Sequence, residues 1–78
     1  MIRGKVVAKC WATTHIENLP KGPLLEVELA SGEIIVAFDP LGCGTGEQVL
    51  ITQGSTAAAW FNQANPCVDA VIIGSLDK

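Results

Sequence analysis

Asp39-Pro40-Leu41-Gly42-Cys43-Gly44-Thr45-Gly46-Glu47-Gln48-Val49-Leu50-Ile51-Thr52-Gln53-Gly54-Ser55-Thr56-Ala57-Ala58 sets three alternate glycines and a glutamate before an apolar strand, then a glycine-serine helix start. Glycine reaches backbone angles that other residues adopt only at a cost, so this loop can turn sharply or admit a neighbouring backbone. That suits a turn or a subunit junction, and it points to assembly rather than catalysis. Gly44, in the middle of the loop, is the position expected to hold a positive φ or to abut a neighbour.

Outward from this stretch the chain reads as short strands. From Ile2 to Thr13 one parity carries Ile2, Gly4, Val6, Ala8, Cys10 and Ala12, and the other carries Arg3, Lys5, Val7, Lys9, Trp11 and Thr13, the pattern of a half-buried strand. Ile16 to Pro23 is loop by composition. Leu24 to Leu29 alternates again, with Glu26 and Glu28 on the polar side, and Ala30-Ser31-Gly32 turns into the next strand. Ile34 to Phe38 is apolar at every position, and Val49 to Ile51 is too, which implies strands covered on both faces. A barrel interior can cover one face and a partner subunit the other. Ser55 or Thr56 is placed to cap a short helix propagated by Ala57-Ala58-Ala59 and stopped by Asn65-Pro66. Val68 to Leu76 is the last strand, with Gly74 marking a bulge or a close backbone approach. Five strands and one short helix predict a mainly β fold, a small closed barrel, because closure removes the edges that a lone sheet exposes.

The chain has 78 residues and reads as one domain spanning 1–78. A core this small is marginal alone, and a content of 49% hydrophobic residues is high for a small monomer, so oligomerisation is expected. No run approaches the length needed to span a bilayer, and Met1-Ile2-Arg3-Gly4-Lys5 lacks a signal-peptide core, so a cytosolic protein is expected. A net charge of −3 gives little field to attract a polyanion. Cys10, Cys43 and Cys67 are odd in number and widely spaced, which reads as three reduced thiols.

The order Asp39 to Ala58 resembles the pentameric vertex proteins of bacterial microcompartment shells, the EutN/CcmL family, whose pattern runs Asp-x-hydrophobic-Gly-Ala-Gly-x-Gly-Glu-x-Val-Leu and then Gly-Ser-Ser-Ala-Arg. A second match, Pro66-Cys67-Val68-Asp69-Ala70-Val71-Ile72-Ile73-Gly74, resembles that family's last strand. The resemblance implies a cyclic homopentamer of OB-like barrels that closes the fivefold vertices of an icosahedral shell in the bacterial cytoplasm, with hexameric shell proteins as partners. It implies no enzyme activity and no cofactor. The motif falls on Asp39, Gly42, Gly44, Gly46, Glu47, Gly54, Ser55 and Asp69, which the resemblance makes candidates for shaping the subunit junctions. Ala58 stands where the family has arginine, Cys43 where it has alanine, and the tail that many relatives carry after the last strand is missing.

Other chemistries have weaker warrants. A phosphate loop places its glycines between a strand and a helix N-terminus, whereas this loop leads into a strand. Ser55 lacks the Gly-x-Ser-x-Gly context of a hydrolase elbow. Cys10, His15, Cys43 and Cys67 could supply zinc ligands by number, but close paired spacing is absent. The alternative function is an OB-like module that binds single-stranded nucleic acid or a small ligand, with Trp11 beside Arg3, Lys5 and Lys9. Glu26 and Glu28 are competing partners for those cations, and at least one cation is expected to lie across from one of these acids. Finally, Trp60 and Phe61 are adjacent and cannot enter the same pocket, so one ring should be buried and the other left for a neighbour.

Overall fold

A computed structural model describes residues 1–10, 22–61 and 67–76. The order of elements is β1 (Ile2–Cys10), β2 (Leu24–Leu29), β3 (Ile34–Phe38), β4 (Gln48–Gln53), α1 (Ser55–Trp60) and β5 (Ala70–Leu76). The strands close into a barrel in the order β1-β2-β3-β5-β4. Among the described residues no helix is long and apolar enough to cross a membrane.

The alternation read in the sequence sets the walls. Val6, Leu25, Val27, Ala37, Val49, Ile51 and Ile72 fill the interior, and Arg3, Lys5 and Glu28 face outward. β1 pairs with β2 through Gly4↔Leu29, Lys5↔Glu28 and Val6↔Val27, slips at Val7, and resumes at Ala8↔Glu26. A bulge of this kind adds local twist, which a small closed barrel requires. The expected bulge near Gly74 is also present: the β4–β5 register shifts between Leu50↔Gly74 and Ile51↔Ile72. Gly4 is needed for space. A Cβ there would collide with Val27 Cγ1 and come within 3.2 Å of the Glu28 carbonyl, so any side chain must push the β1 and β2 walls apart.

β3 and β5 meet in parallel, at Phe38↔Val71, whereas the antiparallel seams run for four residue pairs or more. A second, aromatic cluster lies behind that thin seam, where Phe38, Ala57, Phe61 and Val71 are buried together. Phe61 sits edge-on to Phe38 at 5.2 Å between ring centroids, and Trp60 lies tilted over Phe38 at 6.0 Å. The rings divide as adjacency demands: Phe61 is 8% exposed and Trp60 is 54% exposed.

Three sequence expectations change. The helix is capped by Gly54, at φ 72° and ψ −146°, with no side-chain cap bond, so Ser55 is the first helical residue and not the cap. The last strand starts at Ala70 rather than Val68. The helix ends at Trp60, with Phe61 already extended, short of the Asn65-Pro66 stop that the sequence suggested; Ala12 and Thr13, expected to continue β1, lie outside the described residues. The barrel core covers the inner face of β3, and Ile34 and Val36 stay 54% and 46% exposed on its outer face, the face that a partner subunit was expected to cover.

Candidate functional site

The loop between β3 and β4 is shaped by two carboxylates from its own ends. Asp39 leaves β3 with its amide donating to the Pro23 carbonyl at 3.0 Å, and it is 1% exposed. Its Oδ1 accepts from the amides of Leu41 (3.0 Å) and Gly42 (3.2 Å), and its Oδ2 from that of Cys43 (2.6 Å). Successive amides curled around one anion form a nest, and the side chain of Asp39 is the anion that fills it. Gly42, at φ 83°, lets the chain reverse so that Cys43 turns into the barrel core.

Glu47 closes the other end. Its Oε1 accepts from the Gly44 amide at 2.9 Å, and its own amide donates to the Gly44 carbonyl at 3.1 Å. Its Oε2 accepts from the Ser75 hydroxyl at 2.7 Å, which ties the loop to β5. Gly46, at φ 95°, donates to the Val6 carbonyl at 2.8 Å, and Val6 donates back to the Glu47 carbonyl at 3.0 Å, extending the β1–β4 ladder into the loop. The strained backbone therefore belongs to Gly42 and Gly46 and not to Gly44, whose φ is not positive and where a Cβ would make an ordinary 3.6 Å contact with Glu47 Oε1. A β-branched substitute at Gly44 loses the backbone rationale that the sequence suggested.

This bonding decides several chemistries. The amides of Leu41, Gly42, Cys43 and Gly44 already point at protein carboxylates, so an anion could enter only by displacing Asp39 or Glu47. Burial, and then the negative charges of Asp39 and Glu47, push the Cys43 thiol up to about 11. It is protonated at neutral pH and is a poor nucleophile. Cys10, Cys43 and Cys67 form no disulfide with one another, and among the described residues no group of three or more His, Cys, Asp or Glu could hold a metal. His15 and Trp11 lie outside the described residues. On the first strand the register sets Lys5 directly opposite Glu28, as the cross-strand charge reading anticipates.

The eight candidate residues fall into two groups. Asp39, Gly42, Gly44, Gly46 and Glu47 share the loop, while Gly54, Ser55 and Asp69 meet beyond the far end of β4, where the Gly54 amide donates to the Asp69 carbonyl at 2.8 Å. The six residues of β4 separate the groups by roughly 20 Å. All but Asp39 are exposed. Sequence reasoning missed Ser75 and Val6, whose partners lie far away in the chain and carry no local signal.

Glu47 also gives a pH dependence. The Gly44 amide first, and then the Ser75 hydroxyl, hold its carboxyl below the ordinary value of 4.5. A depressed folded-state value contributes stability that is present above the ordinary value and is lost as pH falls through the lowered one. The melting temperatures of the protein and of Glu47→Gln should therefore differ at neutral pH and converge as pH drops below about 4.5. A gap that persists unchanged into strong acid would show that the charge of Glu47 is not what matters.

Fold and loop together define a small OB-like barrel with a glycine loop stapled by its own carboxylates. The chain belongs to the EutN/CcmL family: the family model described as ethanolamine utilisation protein EutN/carboxysome matches residues 1–77. It is 32% identical to the bacterial microcompartment shell vertex protein EutN of Escherichia coli, covering 100% of this chain and 84% of the relative. It is 30% identical to the shell vertex protein GrpN of Rhodospirillum rubrum, covering 99% and 93%. Among solved structures, a pentameric shell protein from the RMM microcompartment is 50% identical, with a TM-score of 0.91 over 99% of this chain and 91% of that one.

Proposed function

We propose that this protein is a structural subunit of a bacterial microcompartment shell, a homopentamer that closes fivefold vertices. The observation that carries the reading is the match along nearly the whole chain, at 50% identity, to a shell protein described as pentameric. The physical complement is an outer β3 face whose apolar side chains remain in water in the single chain. A shell tiled by hexamers needs fivefold positions to gain curvature, and a cyclic ring with heterologous interfaces supplies them without chemistry. On this reading the protein acts in the bacterial cytoplasm, takes hexameric shell proteins as neighbours, and has no catalytic role. Asp39, Gly42, Gly44, Gly46, Glu47, Gly54, Ser55 and Asp69 then fix the shape of the loops that meet at the junctions. Native mass spectrometry should give a species of five times the 8.2 kDa chain. A stable monomer or dimer at micromolar concentration would overturn the proposal.

A further inference from the structure

The outside of the barrel changes character from strand to strand. On β3, Ile34 and Val36 point outward, and the register sets Glu28 beside Ile34 and Glu26 beside Val36. The result is an apolar ridge with an acidic flank. Glu28 also faces Lys5 on β1, whereas Glu26 faces Ala8, so Glu26 has no cation directly opposite it on either neighbouring strand. Around the corner, Arg3 and Lys5 stand two residues apart on the outer face of β1, and an open groove of about 370 Å³ lies against them, walled also by Glu28, Leu29 and Gln48. Its charge is two cations against one acid.

Resting on the pentamer reading, we infer that these two surfaces are the complementary halves of the subunit junction: the Ile34/Val36 ridge of one copy seats against the Arg3–Lys5 groove of the next, with Glu26 facing the neighbour's Arg3. A cyclic ring joins two different patches on each subunit, and these are a ridge and a groove of opposite charge bias. Covering Ile34 and Val36 removes the outward apolar surface of β3 from water, and the acid-to-cation contact fixes the register of the two copies.

The β1–β2 register supplies a clean test. It puts Arg3 one pair beyond Gly4↔Leu29, four residues along β2 from Glu26, so Arg3 and Glu26 of one chain are roughly 13 Å apart along the strands and do not meet. Rescue between them must therefore come from different chains. Native mass and sedimentation should be measured on the wild type, Val36→Glu, Arg3→Glu, Glu26→Arg and the double exchange, with circular dichroism melting to confirm folding. Val36→Glu should raise the concentration for half-assembly by about tenfold or more. Each single charge reversal should weaken the ring, and the double exchange should restore it. A ring indifferent to Val36→Glu, or single defects that the double exchange does not repair, would overturn the inference. If Val36→Glu fails to fold, the charge exchange alone decides. A wild type that forms no ring would instead refute the function proposed above.

Discussion

Replacing Asp39 by alanine should lower the stability of the isolated subunit by about 3 kcal/mol or more, read from the denaturation midpoint. The carboxylate accepts from three amides in succession, one of them fully buried, and hydrogen bonds to a charged group contribute roughly 1.5 to 3 kcal/mol each. Alanine leaves those amides turned inward with nothing to accept from them. A 78-residue domain has a total stability of only about 4 to 12 kcal/mol, so the loop, and Cys43 with it, should come away from the core. Asp39→Asn is the informative control. Its one carbonyl oxygen can serve Leu41 and Gly42, but its amide group would then confront the Cys43 amide donor to donor. The asparagine variant should fall between wild type and alanine. An alanine variant with an unchanged midpoint would mean that the loop is held by its glycines and by Glu47 alone.

The second large effect separates two neighbouring rings. Phe61→Ala should cost roughly 3 to 5 kcal/mol, because the ring is buried against Phe38, Ala57 and Val71 and its loss leaves a cavity behind the β3–β5 seam. Trp60→Ala should cost the subunit about 1 kcal/mol, since the indole is half in water and contributes ring contacts at 6.0 Å to Phe38 and 5.2 Å to Phe61. Its removal should be felt in association with other shell components. Thermal melting and native mass, measured on both variants, discriminate. If the two behave alike, the buried and exposed rings do not have separate roles.

Much of the barrel was legible because its information is local. The parity of Leu25, Val27 and Leu29 against Glu26 and Glu28 states which side faces the core, and the structure keeps it; that of β1 holds from Ile2 to Val6, until the bulge at Val7 sets Ala8 opposite Glu26 and Lys9 opposite Leu25. The all-apolar run Ile34 to Phe38 showed two faces in need of cover, and the structure shows which one the single chain leaves open. The loop was recognised as special, but its glycines looked equivalent. Which of them takes a positive φ depends on how the Asp39 carboxylate gathers the amides that follow, and composition does not record that geometry. Ser55 has the chemistry of a cap, yet the chain leaves β4 through a turn pinned by the Asp69 carbonyl, 15 residues further on, and that turn puts Gly54 in the capping position. Ser75 and Glu47 are 28 residues apart and meet only because β4 and β5 are neighbours.

The thin β3–β5 seam has a consequence for motion. A barrel wall opens where the fewest backbone pairs must break, and here that is the line through Phe38 and Val71. Local opening there would expose the Phe61 cluster without unfolding the antiparallel strands, so amide hydrogens along this line should exchange faster than those of the antiparallel seams in a hydrogen-exchange measurement. The ridge proposed as a junction lies on β3 itself, so a neighbouring subunit seated on it would brace the strand that opens first. Assembly would then slow the breathing of each barrel as well as join it to the next, and the ring would be the state in which every subunit is fully closed.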